Sequence, residues 1–127
     1  MKSQKKVLIV DDEVNFTKLL SAFLNQRGYE VTVVHDGKGA VEMVKVFCPD
    51  LVLLDLGLPD LPGDLTALRI KSENKKRAIP IIAVTGHGDS LSQSTARAVG
   101  CEDFIVKPID LKDLCNRIER VLGEMPS

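Results

Sequence analysis

The sequence predicts a single α/β domain in which five strands alternate with five helices, a doubly wound (βα)5 arrangement around a parallel sheet. Two observations lead to this prediction. Short apolar runs alternate with segments of helical periodicity along the whole chain of 127 residues. Most runs are apolar at nearly every position, which is typical of parallel strands covered by helices on both faces. The five runs are residues 7–10, 31–34, 51–54, 81–84 and 104–106.

The first two helices are predicted from apolar residues that recur every three or four positions. In the first helix these residues are Phe16, Leu19, Leu20, Phe23 and Leu24. In the second helix they are Ala40, Val41, Val44 and Phe47. Gly28 is expected to end the first helix, because glycine readily adopts the left-handed conformation found there. Pro49 is expected to end the second, since the residue before a proline disfavours helix.

The other three helices differ in how clearly the sequence marks them. Leu65, Leu68 and Ile70 indicate the third, and the cations of residues 71–77 are expected at its solvated end. The fourth, residues 89–99, is weak, because its apolar anchors Leu91, Ala98 and Val99 stand among Ser, Thr and Gln. The fifth is the clearest, with Asp110 expected as its N-cap. Its apolar positions are Leu111, Leu114, Cys115, Ile118, Val121 and Leu122.

Composition excludes several classes of protein. A hydrophobic fraction of 44% is that of a folded domain, and a net charge of −1 gives no basic excess for nucleic acid. The basic N-terminus leads into only four apolar residues, too few for a signal peptide or membrane span. The three cysteines form no CxxC pair, and Cys115 is expected in the core. We therefore expect a cytoplasmic domain over residues 1–127, with its core at about 5–123 and no output domain.

Polar residues follow four of the five apolar runs. Because the carboxyl ends of parallel strands meet at one edge of a sheet, where ligands of open α/β folds bind, we expect these side chains to converge. Taken in chain order, they are Asp11, Asp12, Glu13, Asp55, Thr85 and Lys107. Each alone has a commoner explanation as a helix cap, a turn residue or a loop residue. Their coincidence at four strand ends is what favours a site.

These residue types are suited to phosphoryl transfer. Crowded carboxylates need a cation, and a set of oxygen donors favours Mg²⁺. An aspartate can attack phosphorus and form an aspartyl phosphate. Lys107 would then neutralise the transferred group and Thr85 would hydrogen-bond one of its oxygens.

Five passages together resemble the receiver domains of two-component response regulators, over essentially the whole chain. They are VLIVDDE at residues 7–13, DLVLLDLGLPDLPG at 50–63, PIIAVTG at 80–86, AVGCEDFIVKP at 98–108, and the terminal amphipathic helix. The resemblance implies a flavodoxin-like sheet of strand order 2-1-3-4-5. It also implies that a histidine kinase or phosphotransfer protein supplies a phosphoryl group to Asp55. The chain would be no enzyme beyond catalysing its own phosphorylation and dephosphorylation.

The resemblance also assigns roles to the residues of the predicted site. Mg²⁺ would be held by Asp12 directly, by Asp11 through water, by Asp55 and by the backbone carbonyl of Gly57. Lys107 would pair with Asp55 and then with the phosphate. Thr85 would be the switch hydroxyl and Phe104 the aromatic side chain that rotates in response. The Lys107–Pro108 bond is expected to be cis. A role for His87 in phosphoryl lifetime is left open.

The output face implied by the resemblance comprises the fourth helix, the fifth strand and the fifth helix. A downstream protein would bind there, with the fourth helix as the movable part, and phosphorylation-dependent dimerisation is left open. The chain could instead be a fragment of a larger regulator or hybrid kinase, or a degenerate receiver used as a scaffold. A dehalogenase-type phosphatase would need a second aspartate as acid/base two residues after the nucleophile, where this chain has Gly57. A flavodoxin binds the FMN phosphate after its first strand, and the negative charges of Asp11 and Asp12 there would repel it. The sequence also contains no P-loop motif.

Overall fold

The computed structural model describes residues 4–86 and 90–123, in which five strands alternate with five helices. The strands are β1 (Lys6–Val10), β2 (Glu30–Val34), β3 (Leu51–Asp55), β4 (Ile81–Thr85) and β5 (Asp103–Val106). The helices are α1 (Val14–Gln26), α2 (Gly37–Phe47), α3 (Gly63–Ser72), α4 (Ser90–Ala98) and α5 (Leu111–Leu122).

The strands form one parallel sheet in the order β2-β1-β3-β4-β5, the order that the resemblance to receiver domains implies. Every residue of β3 and β4 is buried, which explains why their sequences are apolar without alternation. The strand order reverses between β1 and β3. The carboxyl ends of these two strands therefore lie side by side at the edge where a site is expected.

Two apolar clusters lie on opposite faces of the sheet. The first joins α1 and α5 to the sheet through residues such as Leu20, Leu24, Leu114 and Ile118, and it includes Cys115 as predicted. The second joins α2 and α3 to the other face through Ala40, Val44, Ala67 and Ile70. Helices therefore cover both faces, which confirms the doubly wound architecture.

The predicted helix ends are confirmed at two places. The Asp110 side chain caps α5 by accepting hydrogen bonds from the backbone N–H groups of Lys112 and Asp113, at 2.9 and 3.2 Å. Gly28 follows α1 with φ +94°, in the left-handed region. The Lys107–Pro108 bond is cis, as expected.

Several residues predicted to face the core are exposed instead. Leu19 is 61% exposed because the buried line of α1 runs through Thr17, Leu20 and Leu24, which turns Leu19 toward solvent. Leu65 and Leu68 are also exposed, at 43% and 48%.

The third helix presents small residues to the core, together with Ile70, which is buried as predicted. Its buried face comprises Gly63, Thr66, Ala67 and Ile70. A Cβ atom at Gly63 would overlap the backbone of Leu56. The start of α3 therefore lies too close to Leu56 for any residue with a side chain. The prediction that Leu65 and Leu68 mark the core-facing side of α3 was therefore wrong.

Two smaller predictions are also wrong in part. Among the α4 side chains that the structure describes, Ala96 is buried whereas Ala98 is exposed; the side chain of Leu91 lies outside that set. Among the cations at the end of α3 and after it, Lys71 in the last turn is partly buried and donates to the Ile79 carbonyl, and Arg77 forms an ion pair with Asp50. Within the described residues, no helix is long and apolar enough to cross a membrane.

Candidate functional site

Three aspartates converge at the carboxyl edge of the sheet, as the sequence predicts. Asp11 and Asp12 follow β1, and Asp55 is the last residue of β3. One carboxylate oxygen from each lies within 4.8 Å of the others. Asp11 and Asp55 are buried, at 1% and 8% exposure, whereas Asp12 is exposed. The cluster therefore has a buried inner side and one carboxylate open to solvent.

Burial and neighbouring charges act together on Asp55. Its Oδ1 accepts a hydrogen bond of 2.9 Å from the backbone N–H of Gly57. Burial raises the pKa of Asp55 above its ordinary value, and the negative charges of Asp11 and Asp12 raise it further, against the opposing effects of the Gly57 N–H and Lys107. A bound cation would favour the ionised form that can act as a nucleophile.

Lys107 supplies the positive charge of the site. Its Nζ lies 2.9 Å from Asp11 Oδ2, 3.3 Å from Glu13 Oε1 and 3.7 Å from Asp55 Oδ2. The same ammonium lies 4.6 Å from the centroid of the Phe16 ring. Burial lowers the pKa of Lys107, but the hydrogen bond and charge of Asp11, together with Asp55 and Glu13, raise it above its ordinary value. The amine is therefore charged and shared among carboxylates.

The expected pairing of Lys107 with Asp55 is the longest of these three contacts. Asp11 is the closer partner because its carboxylate is almost wholly buried and has no other cation within the described site. Glu13 was predicted at the strand end, but no role was predicted for it. Its position directly after Asp11 and Asp12 was the feature of the sequence from which its contact with Lys107 could have been predicted.

The fourth and fifth strands bring the hydroxyl and the amine to the same edge. Thr85 is the last residue of β4 and is 2% exposed. Its backbone carbonyl accepts a 2.7 Å hydrogen bond from the N–H of Lys107. Phe104 lies half-buried on β5, with its carbonyl 3.4 Å from Arg117 Nη1. His87 lies outside the described residues, as do Gly88 and Asp89.

The loop from β3 to α3 closes the site beside Asp55. Gly57 is exposed in this loop, and a Cβ there would meet Asp55 Oδ1 at an ordinary 3.6 Å. At the tip, the Asp60 carboxylate accepts hydrogen bonds from the backbone N–H groups of Gly37 and Lys38, at 2.8 and 3.1 Å. Both bonds lower the pKa of Asp60, and the bond from Gly37 has the larger effect. This contact was not predicted, because no local sequence pattern relates Gly37 to Asp60, which are 23 positions apart.

The donor set fits a hard divalent cation. The ligand atoms offered by Asp11, Asp12 and Asp55 are all carboxylate oxygens, and no histidine or cysteine belongs to this group. Within the described site, one ammonium faces several carboxylates, so negative charge is left over at the exposed side. Mg²⁺ is the ion that such carboxylates commonly hold together with water.

Comparison with known families and curated proteins gives a consistent result. Residues 7–119 match the family model of the response regulator receiver domain. The chain is 36% identical over 120 residues to the probable transcriptional regulator ycf27 of Cyanophora paradoxa, covering 94% of this chain and 49% of that protein. It is 34% identical over 121 residues to the response regulator ArlR of Staphylococcus saprophyticus, covering 95% of this chain and 54% of that protein. The chain thus spans about half the length of these relatives.

Solved structures share the same fold. A response regulator receiver domain protein (CheY-like) from Methanospirillum hungatei JF-1 superposes with a TM-score of 0.89 at 26% identity, covering 96% of each chain. The receiver domain of the sensor histidine kinase PA1611 from Pseudomonas aeruginosa PAO1 gives a TM-score of 0.87 at 29% identity, covering 95% of this chain and 99% of that one. That second structure has a magnesium ion coordinated in its active-site cleft.

Proposed function

Because this chain belongs to the response regulator receiver domain family of two-component systems, we propose that it accepts a phosphoryl group on Asp55 and signals by the resulting change of shape. The observation that carries the proposal is the setting of the Asp55 carboxylate. It lies at a buried strand end, bonded to the Gly57 N–H and flanked by two acidic side chains and Lys107.

In the proposed reaction an oxygen of Asp55 attacks the phosphorus of a phosphohistidine on a histidine kinase or phosphotransfer protein. The new bond is an acyl phosphate, and the P–N bond breaks with its electron pair leaving on the imidazole. Lys107 already lies 3.7 Å from Asp55 Oδ2, so its ammonium can neutralise charge on the transferred group without a large movement. The Gly57 N–H keeps the carboxylate oriented while it reacts.

The residues proposed to hold Mg²⁺ are Asp12 and Asp55 directly, Asp11 through water, and Gly57 through its backbone carbonyl. The donor chemistry of the cluster supports this assignment, as does the magnesium ion in the relative from Pseudomonas aeruginosa. When bound, the ion would neutralise the carboxylates and the incoming phosphoryl oxygens. The exposed position of Asp12 leaves a path from solvent to the cluster.

The proposed response runs from Thr85 to Phe104. The Thr85 hydroxyl would hydrogen-bond the phosphoryl group, and Phe104 would rotate into the space that this movement opens. Thr85 is buried beside the site, and its backbone bond to Lys107 ties β4 to β5, which carries Phe104.

The output face is proposed to be formed by α4, β5 and α5. A groove of about 470 Å³ on this face is lined by residues of all three elements, among them Gln93, Phe104 and Arg117, and offers a partner a concave surface. The fourth helix is proposed as its movable part because its sequence favours helix weakly. This signalling would take place in the cytoplasm, and the downstream partner of the receiver would be a protein.

Phosphorylation can be tested with acetyl phosphate and Mg²⁺, followed by mass spectrometry of the intact protein. We expect the mass of one phosphoryl group to be added, and the addition to disappear with EDTA or in Asp55→Asn. Asp64→Asn, which changes an aspartate in the first turn of α3, is the matched control and should still be labelled. Equal labelling of Asp55→Asn would refute the assignment. Absence of any labelling in the wild-type protein would favour the degenerate scaffold.

A further inference from the structure

The loop that carries Gly57 is fixed at both ends by its own backbone. The N–H of Gly63 donates to the Leu56 carbonyl at 3.1 Å, so residues 56–63 form a closed loop. At its exit, the Thr66 hydroxyl lies 3.0 Å from the Pro62 carbonyl and 3.4 Å from the Leu61 carbonyl. These contacts hold the base of the loop to α3, and none of them involves the side chain of Asp60.

Hydrogen bonds to one side chain, that of Asp60, tie the tip to α2, while Leu58 and Leu61 pack in or against the apolar cluster on that face of the sheet. Asp60 accepts two backbone hydrogen bonds from the first turn of α2, where the N–H groups lack partners within the helix. The negative carboxylate also suits the positive end of the helix. Helix and loop meet closely here, since a Cβ on Gly37 would lie 2.7 Å from Leu61 Cβ and 2.5 Å from Thr66 Oγ1.

The first turn of α2 already has a cap of its own. Asp36, directly before the helix, accepts a 2.6 Å hydrogen bond from the Gly39 N–H. The bonds from Asp60 go to different N–H groups of the same turn and come from the loop beside the phosphoacceptor. The helix is thus capped locally by Asp36, whereas Asp60 joins it to the site.

We propose that Asp60 is a positioning residue for phosphoryl transfer, which anchors the tip of the loop on α2 and thereby holds the Gly57 backbone against Asp55. Gly57 lies three residues before Asp60, and its N–H donates to Asp55 Oδ1. Release of the tip would let the Gly57 peptide turn, so that both this N–H and the Gly57 carbonyl lose their orientation. This inference rests on the proposed function for the part played by that carbonyl in holding Mg²⁺.

The test compares Asp60→Ala with Asp36→Ala, because both remove a carboxylate from the same helix end. In metal-free protein, amide hydrogen exchange at Gly57 should become faster in Asp60→Ala and stay unchanged in Asp36→Ala. In Asp36→Ala the faster amide should be that of Gly39. Titration with Mg²⁺ alone, followed by NMR, should show affinity weakened about tenfold in Asp60→Ala, the loss typical of removing an outer-sphere partner. Asp36→Ala should stay within about twofold of wild type.

A second variant keeps the test decisive if Asp60→Ala folds poorly. Asp60→Asn retains one acceptor oxygen for two N–H groups, so Gly57 exchange and Mg²⁺ affinity should lie between those of wild type and Asp60→Ala. Circular dichroism should give all three variants the wild-type helix content.

The possible outcomes separate this inference from the proposed function. If wild type binds Mg²⁺ and Asp60→Ala matches it in both Gly57 exchange and affinity, the positioning role is overturned while the phosphoacceptor proposal stands. Equal effects of Asp60→Ala and Asp36→Ala on Gly57 would also overturn it, since helix capping alone would then explain the result. If wild type binds no Mg²⁺, the metal assignment fails, and the metal-free exchange of Gly57 still decides whether Asp60 holds the loop.

Discussion

Asp55→Asn should stabilise the metal-free domain at neutral pH, although it removes the proposed phosphoacceptor. The Asp55 carboxylate is 8% exposed and shares a cluster with Asp11 and Asp12, whose ligand oxygens lie within 4.8 Å. At an effective dielectric constant near 20, each such pair of charges repels by about 3.5 kcal/mol, while Lys107 at 3.7 Å attracts Asp55 by about 4.5 kcal/mol. The repulsions exceed the attraction, and burial adds to the cost of ionisation.

Solvent near the exposed Asp12 reduces this imbalance, so we expect a net gain of about 1–2 kcal/mol in Asp55→Asn. The asparagine oxygen can still accept the Gly57 N–H, which keeps the loop in place. For a domain of this size the gain corresponds to a Tm higher by roughly 4–8 °C. Thermal unfolding followed by circular dichroism, in EDTA at pH 7, measures it.

The sign of the pH dependence provides an internal check. The pKa of Asp55 is raised in the folded state, so its ionisation costs stability, and the cost is absent below the unfolded pKa of about 3.8. As pH rises through the interval from that value to the raised folded pKa, wild type should lose stability relative to Asp55→Asn. A variant no more stable than wild type at pH 7, or an advantage that persists unchanged below pH 3.8, would refute the electrostatic account.

Three further predictions follow from the described contacts. Thr85→Ala should still accept a phosphoryl group but lose the beryllofluoride-induced NMR shift of the Phe104 ring; a normal shift would exclude the coupling. Beryllofluoride should alter amide hydrogen exchange in residues 90–98 of α4 and leave α5 unchanged; a change confined to α1 would move the output face elsewhere. Gly63→Ala should lose about 3 kcal/mol in urea unfolding, because its Cβ would overlap the loop backbone. Gly86→Ala should lose less than about 1 kcal/mol, because among the described residues no atom lies within 4 Å of a Cβ there. Similar losses in the two variants would contradict the close approach at Gly63.

The sequence predicted the strands well because buried parallel strands are continuously apolar. It predicted helix orientation less well. Leu19, Leu65 and Leu68 continue apolar patterns but face solvent, since the rotation of each helix is set by its closest approach to the sheet and loops. At Gly63 that approach leaves space for no side chain, and no periodicity in the sequence reports this.

The site was predictable for a topological reason. Parallel strands carry the residues at their ends to one edge, so the convergence of Asp11, Asp55 and Lys107 follows from the strand order. Distances within the site were not predictable. For example, Lys107 lies closer to Asp11 than to Asp55, the partner that was expected. The contact of Asp60 with the start of α2 was missed because it depends on loop conformation, which leaves no local pattern.

The central claim is that Asp55 is the residue that carries the phosphoryl group. Reduction of the acetyl-phosphate-treated protein with borohydride converts an aspartyl phosphate to homoserine, and peptide mass spectrometry then identifies the modified position. Our account predicts homoserine at residue 55, dependent on Mg²⁺ and absent without acetyl phosphate. Homoserine at Asp11 or Asp12 instead, or none in protein that has gained the mass of a phosphoryl group, would contradict it.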